Sequence, residues 1–505
     1  MTKSEMRVPR VSHAEACAAI RESVAWRNPC NRADLAALAD DISCYVDGDR
    51  HRADDIGALI PLPLNLRGTG VLAYLDSRGS LVQCVSVSQG HFVFGSGNEI
   101  FGRWNALVAA HSVPGGTVFP AHGGEIIPAT IDDHINRIRR NVAEGTELPV
   151  QVDIDVSMAC PSACVFCFSA EYRGSRTTGR LMDPQLMLSL IRQSAELGVK
   201  VIRFDGGGDP LTHPALPQAI DLCGELGLRV AVLTAGDLLS ERLVPVFLRA
   251  RTYVRVSLNA AEDTTRRAIH GQRGDRHGVQ RIFDVVRLLA DRRNEAFGAG
   301  GYAEMPIGAT SLIHPMNVDE TVAIAERAKR AGFDHLSFRV ILGEALRVDF
   351  TTAVRSQLTA AFDRIRSTVA DDNFQVFLPT RDITDEGYVP SRYFSQCRAS
   401  THRALIEVGR VPERAALIPC GRYRGHGYRA GPEEDRVVFG HLSPAESLGD
   451  VWLGPSMKQL LPSFPQACKD CIDRSANVFL EKVVSILNAD PGSIFIPFAL
   501  PKSSG

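Results

Sequence analysis

The pattern of hydrophobic and polar residues changes near position 150 of the chain. From there to position 345, short runs of consecutive apolar residues alternate with longer segments whose apolar residues recur every three or four positions. Such short runs are typical of buried strands, and the longer segments are typical of amphipathic helices. The pattern predicts strands at 150–156, 199–204, 229–233, 253–258, 305–313 and 335–341.

Helices are predicted between these strands, at 183–198, 216–226, 240–249, 279–289 and 318–331, with a last one at 352–369. The first helix has the clearest signals, because Asp183 suits the N-cap and Pro184 suits the first turn. Six β/α units in sequence imply an α/β fold with a parallel sheet and helices outside it, either an open sheet or a partial (β/α)6 barrel. Ligands of such folds bind at the carboxyl ends of the strands.

The segments on either side of this core, residues 149–345, have different patterns. Residues 1–148 are expected to form an α+β domain of their own, with helices at 13–25 and 34–45 and then a hairpin of strands at 70–76 and 81–88. After the core we expect a connecting helix and linker, a small cysteine-containing domain and a C-terminal tail, at 346–390, 391–480 and 481–505.

Composition places the chain among ordinary globular proteins. It has 505 residues, of which 45% are hydrophobic and 23% are charged, and a formal net charge of −2. This charge gives no overall basic field for nucleic acid, and we expect the arginine clusters at 137–140 and 266–267 to be solvated faces. The sequence shows neither a long apolar run nor a signal-peptide layout, so we expect a cytoplasmic protein whose thiols are reduced.

Three of the 12 cysteines lie close together, in the segment Cys160-Pro-Ser-Ala-Cys164-Val-Phe-Cys167 that follows the first predicted strand of the core. In a reducing compartment, clustered cysteines are more often metal ligands or reactive groups than disulfides. Three thiolates can bind three irons of a [4Fe–4S] cluster and leave the fourth iron open. A zinc site is the alternative, but no further histidine or cysteine follows Cys167 closely enough to complete a tetrahedron.

The Cys160-x3-Cys164-x2-Cys167 spacing, with the aromatic Phe166 before the last cysteine, resembles the signature of the radical S-adenosylmethionine (SAM) superfamily. The resemblance implies that SAM chelates the open iron and is cleaved to a 5′-deoxyadenosyl radical. It also implies an external electron donor, a flavodoxin or ferredoxin.

The resemblance extends over residues 150–345. The triplet Gly207-Gly208-Asp209 is similar to the family's Gly-Gly-Glu turn, whose backbone meets the SAM amino group, although an aspartate replaces the glutamate. Thr234 begins a Thr-Ala-Gly segment where many members have Thr-Asn-Gly. After the fourth strand, Ser257 and Asn259 match the segment that contacts the SAM ribose.

A second cysteine set lies beyond the core. Four thiols suffice for one more [4Fe–4S] cluster or for one zinc ion. Their arrangement resembles the C-terminal SPASM and twitch extensions of the superfamily, and the smaller twitch type is the closer match. The resemblance implies an auxiliary cluster that accepts an electron, relays electrons or anchors substrate. Its ligands would be Cys397, Cys420, Cys468 and Cys471.

Polar residues near the predicted carboxyl ends of the strands are candidates for the base that deprotonates a substrate radical. They are Asp205, His213, His314 and Arg339. Arg339 is alternatively suited to pair with the SAM carboxylate. Buried polar residues at such positions more often serve structural hydrogen bonds.

Three functions fit these features. From the sequence we favour a radical SAM oxidoreductase that acts on a small polar metabolite, such as a sugar-derived natural-product intermediate. The alternative is the same chemistry on a ribosomal precursor peptide, with residues 1–148 as its recognition module. Such modules usually begin with a three-stranded sheet followed by helices, whereas the order predicted here is the reverse. A non-catalytic zinc protein is the third function, and the near-neutral charge and the SAM-site motifs oppose it.

Overall fold

The fold is described from a computed structural model of the chain. The described residues are 131–167, 169–170, 179–271, 278–298, 301–340, 350–371, 373–378, 397–424, 438–455, 457, 477, 480, 484 and 488, and the backbone at 70–75, 81–88, 91–95 and 494–499. The predicted helices at 13–25 and 34–45 lie outside these residues. The chain forms two compact units, one of Met1–Glu147, Ser391–Ala399 and Asp473–Gly505 and one of Leu148–Pro390 and Ser400–Ile472.

The first unit contains an antiparallel sheet. Its strands β1 (Gly70–Leu75), β2 (Leu81–Ser88) and β3 (His91–Gly95) follow one another as a meander, and a helix follows at Ile131–Glu144. A fourth strand, Ile494–Ala499, pairs with β1. The predicted hairpin is therefore confirmed, but the third strand, the helix and the C-terminal strand were not predicted.

The second unit contains the six parallel strands that the alternating pattern predicts. They are β4 (Gln151–Asp155), β5 (Val201–Asp205), β6 (Arg229–Thr234), β7 (Tyr253–Ser257), β8 (Ile307–Ile313) and β9 (His335–Val340). Helices connect successive strands, at Pro184–Glu196, Leu216–Glu225, Val244–Arg249, Val279–Phe297 and Thr321–Arg330, and a further helix spans Thr352–Arg364. The predicted N-cap is confirmed, since the Asp183 side chain accepts from the Leu186 backbone N–H at 2.9 Å. The α/β prediction is confirmed.

Strands from later in the chain extend this sheet at both ends. Strand β10 (Gln375–Phe377) lies parallel to β9, and β11 (Arg403–Val408) lies parallel to β4. Strands β12 (Ala415–Ile418) and β13 (Gly440–Leu442) continue beyond β11 in antiparallel pairing. Three strands of the region predicted as a separate cysteine-containing domain thus belong to the sheet of the core.

The two faces of the parallel sheet differ in chemistry. Ile154, Phe204, Val232 and Val254 are register neighbours on successive strands and are all buried, which places the apolar core between this face and the helices. The opposite face has charged side chains on several of the six strands, including Asp153 and Asp155 on β4, Arg203 and Asp205 on β5, Arg255 on β7 and Arg339 on β9.

The charged face is concave. A flat sheet would hold β5 and β9, four strands apart, at about 19 Å from each other. Even so, the charges of Arg203 and Asp205 on β5 act on the Arg339 side chain on β9. The Tyr253 hydroxyl on β7 also reaches within 3.1 Å of His335 Nε2 on β9, across strand β8. The sheet therefore curls as in a partial barrel, with the charges in its interior, which we call the lumen.

No helix within the described part of the chain is both long and apolar enough to cross a membrane.

Candidate functional site

The three clustered cysteines lie on a loop that leaves the carboxyl end of β4. We call residues 158–167 the cysteine loop. Its backbone is held from two sides: the Met158 N–H donates to the Arg180 carbonyl at 2.7 Å, and the Ala163 N–H donates to the His270 carbonyl at 2.7 Å. All three cysteine side chains are partly exposed. The loop is therefore fixed in place while its thiols stay accessible to a ligand.

The donor set of the loop fits an iron–sulfur cluster. Within the described residues, no three His, Cys, Asp or Glu side chains are grouped so that they could hold one metal ion. A tetrahedral zinc ion needs its ligands around a single point, whereas the cysteines of a [4Fe–4S] cluster bind different irons. Three accessible thiols on one anchored loop suit the second arrangement.

The glycine turn after β5 packs against the cysteine loop. The Gly208 N–H donates to the Ser157 carbonyl at 2.9 Å, and the Asp209 N–H donates to the Ala159 carbonyl at 2.8 Å. A Cβ atom added at Gly208 would lie 2.1 Å from the Ala159 carbonyl oxygen, and one at Gly207 would lie 2.2 Å from the Met158 sulfur. Only glycine permits this approach, so the structure brings the predicted SAM-binding turn beside the predicted cluster ligands.

Asp209 connects the ends of β5 and β6. One carboxylate oxygen accepts from the Thr234 hydroxyl at 2.8 Å and from the Ala235 N–H at 2.9 Å, and the other accepts from the Leu211 N–H at 2.9 Å. Burial raises the pKa of Asp209 to about 6, although these hydrogen bonds favour its charged form. Asp209 and Thr234, which were predicted separately as SAM-site residues, are thus brought together, and the Asp209 carboxylate holds the glycine turn.

A buried ion pair supports the cysteine loop from behind. Arg266 and Asp237 are both fully buried, and Arg266 Nη2 lies 2.7 Å from Asp237 Oδ1. The other oxygen of Asp237 accepts from the Ser162 hydroxyl of the loop at 2.7 Å. The solvated face predicted at 266–267 is therefore wrong for Arg266, whose charge is neutralised inside the protein, while the Arg267 side chain is 44% exposed.

Arg266 belongs to the helix Asp263–His270, which the sequence analysis missed and whose last residue contacts the cysteine loop. His270 Nδ1 lies 3.4 Å from Cys164 Sγ, and His270 Nε2 lies 3.3 Å from Asn259 Nδ2. Burial and the neighbouring Arg266 guanidinium lower the pKa of His270 to about 3, so the ring is neutral near pH 7. Asn259, predicted as a ribose contact, is buried beside this ring.

An arginine from beyond the core reaches the charged lumen. Arg424 makes a two-pronged contact with Asp155, at 2.6 and 3.1 Å, and its Nη2 also lies 3.1 Å from Asp205 Oδ2. Deeper in the lumen Arg203 pairs with Asp153. Burial alone would raise the pKa of Asp205, but Arg424, Arg203 and Arg255 hold that pKa below its usual value. Asp205 is therefore an ionised carboxylate at the carboxyl end of β5.

Arg339 lies in the lumen, on the last of the six core strands. Its Nε is 3.4 Å from the Ser337 hydroxyl of the same strand. Burial and the like charges of Arg255 and Arg203 lower the pKa of Arg339 well below its usual value. The Arg255 and Arg339 side chains therefore act on each other as neighbouring positive charges, and the Asp205 carboxylate acts on both in the opposite direction.

The two histidines predicted as bases have backbone partners. His213 is buried, with Nε2 2.8 Å from the Met182 carbonyl and Nδ1 accepting from the Ala215 N–H at 3.2 Å. Both ring nitrogens are engaged, so this arrangement does not support His213 as a base. His314, on the loop after β8, is half-buried, and its Nδ1 accepts from the Met316 N–H at 3.3 Å.

The remaining predicted site residues are Phe166, Ser257 and the four cysteines of the second set. Phe166 and Ser257 are half-buried, on the cysteine loop and at the end of β7. Cys397 is buried in the first unit, where Asn477 Nδ2 donates to its sulfur at 3.7 Å. Cys420 is partly exposed in the second unit, just before the turn Gly421–Tyr423. Cys468 and Cys471 lie outside the described residues.

Some of the polar residues that the sequence analysis missed carry a recognisable signal. Strands β4 and β5 have charged residues at every second position of an otherwise apolar run, which predicts a buried charged face when the other face is covered by helices. Arg424 and His270 have no comparable signal, because only the fold brings them to the site.

Part of the second unit is similar in sequence to known proteins. A sequence profile described as "Radical SAM superfamily" matches residues 154–302. A PqqA peptide cyclase of Streptomyces rochei is 28% identical over 189 residues, which are 37% of this chain and 47% of that protein. The PqqA peptide cyclase of Xanthomonas campestris pv. campestris is 22% identical over 337 residues, 65% of this chain and 80% of that protein.

One solved structure with similarity to this chain is that of Streptococcus suis SuiB bound to S-adenosylmethionine. It has 14% sequence identity and a TM-score of 0.46, and the superposition covers 84% of this chain and 96% of that one. The matched part of this chain spans 47% of the length of the Streptomyces relative and 80% of the length of the Xanthomonas relative.

Proposed function

We propose that this protein is a radical SAM enzyme that modifies a precursor peptide, because the profile of the radical SAM superfamily matches residues 154–302. The proposal of a peptide substrate rests on the similarity to PqqA peptide cyclases. In one case this similarity extends over 337 residues, well beyond the residues that the superfamily profile matches. The sequence alone favoured a small polar metabolite. The similarity to peptide-modifying proteins supports the alternative better.

The first unit supports the same substrate class. The sequence patterns placed helices before a hairpin, which argued against a peptide-recognition module. The described strands β1 to β3 form an antiparallel meander to which the C-terminal strand Ile494–Ala499 adds a fourth strand, and a helix follows at Ile131–Glu144. A sheet that precedes this helix agrees with such a module, while the helices predicted at 13–25 and 34–45 lie outside the described residues. In the described sheet β3 is an end strand, and an end strand can pair with an extended peptide through its backbone.

In the proposed site, the thiolates of Cys160, Cys164 and Cys167 would hold a [4Fe–4S] cluster. With SAM, that group supplies the 5′-deoxyadenosyl radical that removes a hydrogen atom from substrate. Asp209 holds the glycine turn beside the cysteine loop, so that the backbone of the turn is placed to meet the SAM amino group.

The lumen would bind the peptide residue that reacts. Its charged side chains match a polar substrate side chain, and Arg255 and Arg339 are suited to bind a carboxylate of the peptide. Asp205 is ionised and lies at the end of the lumen where ligands of such folds bind, so its carboxylate oxygen is placed to accept a hydrogen bond or a proton. Arg424 keeps that carboxylate in its charged form.

We further propose an auxiliary [4Fe–4S] cluster with Cys397, Cys420, Cys468 and Cys471 as its ligands, and a flavodoxin or ferredoxin as the electron donor. The partial exposure of Cys420 is compatible with a ligand role. A small polar metabolite stays as the second candidate substrate, because a charged lumen would bind it equally well.

The two substrate classes are distinguished by what accelerates SAM cleavage. Reconstituted enzyme is incubated with SAM, dithionite and the peptides encoded by short reading frames beside its gene, and both 5′-deoxyadenosine and peptide mass are measured. We expect one peptide to change in mass and to raise deoxyadenosine formation in proportion. If a pool of small metabolites stimulates cleavage and no peptide changes, the substrate is the metabolite.

A further inference from the structure

His270 places a ring nitrogen against one of the three clustered thiols. The side chain lies at the C-terminal end of the helix Asp263–His270 and is fully buried. Its Nδ1 is 3.4 Å from Cys164 Sγ. A neutral imidazole has one N–H and one lone pair, so the role of Nδ1 depends on which nitrogen carries the hydrogen. The contacts of the other nitrogen decide this.

The other nitrogen, Nε2, faces two hydrogen-bond donors. Arg266 Nη1 lies 3.4 Å from it, and a guanidinium can only donate. Asn259 Nδ2 lies 3.3 Å from it. The orientation of that amide is fixed, because its oxygen accepts from the Leu312 backbone N–H at 2.8 Å and leaves the NH2 group toward the ring. Nε2 therefore accepts, and in the neutral ring Nδ1 carries the hydrogen.

The residues around the ring are themselves held in place. Arg266 donates to Asp237 at 2.7 Å and to the Ala235 carbonyl at 2.8 Å. Asp237 in turn accepts from the Ser162 hydroxyl, two residues before Cys164. The Ala163 N–H donates to the carbonyl of His270 itself. The other tautomer would place an N–H against the Arg266 guanidinium, and a ring turned by 180° would place a C–H there, so the packing enforces one tautomer and one orientation.

We propose that the Nδ1–H of His270 donates a hydrogen bond to the Cys164 thiolate and raises the reduction potential of the cluster bound there, with Asn259 and Arg266 as positioning residues that fix the tautomer. The inference rests on the proposed function in taking Cys164 as a cluster ligand. Reduction adds negative charge to the cluster and its sulfurs, and a hydrogen bond to a sulfur stabilises that charge. Asn259 then serves the cysteine loop rather than the ribose, since both ends of its amide are committed.

Two substitutions separate the hydrogen bond from the rest of the side chain. In His270→Asn the amide occupies the position of Nδ1 and can still donate to the sulfur. In His270→Gln the amide reaches the position of Nε2, which keeps a partner for Arg266 and leaves nothing to donate to Cys164. We expect a more negative midpoint potential in the glutamine variant and a midpoint close to that of the wild type in the asparagine variant.

The measurement is a redox titration followed by electron paramagnetic resonance (EPR), using the signal that changes when SAM is added, so that the catalytic cluster is the one observed. Iron content and thermal unfolding are recorded for each variant. Equal midpoints in the wild type and the glutamine variant, with equal iron content, would overturn the inference. A wild-type protein with no SAM-sensitive signal would instead overturn the proposed function.

A second measurement does not depend on a stable glutamine variant. Wild-type enzyme is produced with ring-15N histidine, reduced without SAM and examined by pulsed EPR. We expect a 15N coupling to the cluster that is absent from the asparagine variant, because the hydrogen bond connects the His270 ring to a cluster sulfur. A wild-type spectrum without that coupling contradicts the inference.

Discussion

At the scale of single residues, the assignment depends first on the three thiols of the cysteine loop. They are partly exposed on a loop whose backbone is anchored to the Arg180 and His270 carbonyls. Replacing these three thiols should therefore remove their metal-binding function with little effect on the stability of the fold. Cys223, in contrast, is fully buried in the helix Leu216–Glu225.

Replacing Cys160, Cys164 and Cys167 together by alanine is expected to abolish SAM cleavage, because no ligands for the catalytic irons remain. The thermal unfolding of the iron-free protein should change little. Cys223→Ala is the matched control: it should lower the free energy of unfolding by about 1 kcal/mol and leave cleavage intact. The two readouts are 5′-deoxyadenosine formation and thermal unfolding. Deoxyadenosine formed at the native rate by the triple variant would exclude the assignment.

A second prediction at this scale concerns the buried charges of Arg424, Asp155 and Asp205. Arg424→Met is expected to lower the free energy of unfolding at pH 7 by about 3–5 kcal/mol, because two buried carboxylates lose their guanidinium partner. Arg249→Met is the control, since Arg249 and Asp221 form an ion pair with side chains 58% and 35% exposed. That change should cost about 0–1 kcal/mol. Denaturant unfolding measures both.

The stability lost in Arg424→Met is expected to depend on pH. The pKa of Asp205 is lower in the folded protein than its ordinary value of 3.8. Its ionised form therefore stabilises the fold above that value, and this stabilisation is lost as the pH falls through the lower, folded pKa. The stability difference between wild type and Arg424→Met should be largest near neutral pH and should shrink below about pH 4. Equal losses for Arg424→Met and Arg249→Met at pH 7 would show that the lumen charges are not coupled as described.

At the scale of elements, the contact between the glycine turn and the cysteine loop is the most demanding feature of the site. Gly208→Ala would place a methyl group 2.1 Å from the Ala159 carbonyl oxygen, so the turn must move away. We expect a loss of about 1–3 kcal/mol in the free energy of unfolding and a fall of about 100-fold in SAM cleavage.

Gly449→Ala is the control for this substitution. It lies in the short helix Leu448–Leu453, where an added Cβ would meet its nearest atoms at 3.7 and 3.9 Å. Stability should stay the same or rise by about 0.5–1 kcal/mol, and cleavage should be unchanged. Cleavage is measured at saturating and at limiting SAM, so that a weaker affinity is separated from a slower reaction. Native activity in Gly208→Ala would mean that the turn is not part of the SAM site.

The strands and helices differ in how well they could be predicted from the sequence. The six core strands were predictable because each is a short apolar run between amphipathic helices. The helix Asp263–His270 was not, because Arg266 and His270, which are polar, are among its buried residues and leave no apolar stripe. Asp209 and Thr234 were found by resemblance, whereas Arg424 is 219 positions from Asp205 in sequence and is brought there only by the fold.

At the scale of the whole molecule, the strands β11 to β13 tie the region of the second cysteine set to the catalytic core. Strand β11 extends the core sheet beside β4, the strand that carries the cysteine loop. Of the second cysteine set, Cys420 follows β12 and belongs to the unit of this sheet, whereas Cys397 belongs to the first unit.

Loss of the auxiliary ligands is expected to uncouple the reaction. Cys468→Ala or Cys471→Ala should leave 5′-deoxyadenosine formation measurable while peptide product falls to background, because the radical forms but its electron has no acceptor. The ratio of deoxyadenosine to product, determined by mass spectrometry, measures the uncoupling. A product yield equal to that of the wild type would remove these cysteines from the mechanism.

The central claim is that this chain is a radical SAM enzyme, and it is tested most directly by SAM cleavage in protein reconstituted with iron and sulfide under anaerobic conditions. The account predicts 5′-deoxyadenosine under dithionite, from protein that holds about eight irons per chain when both proposed clusters are present. Protein that takes up no iron and releases no deoxyadenosine would contradict the account and would favour a zinc protein instead.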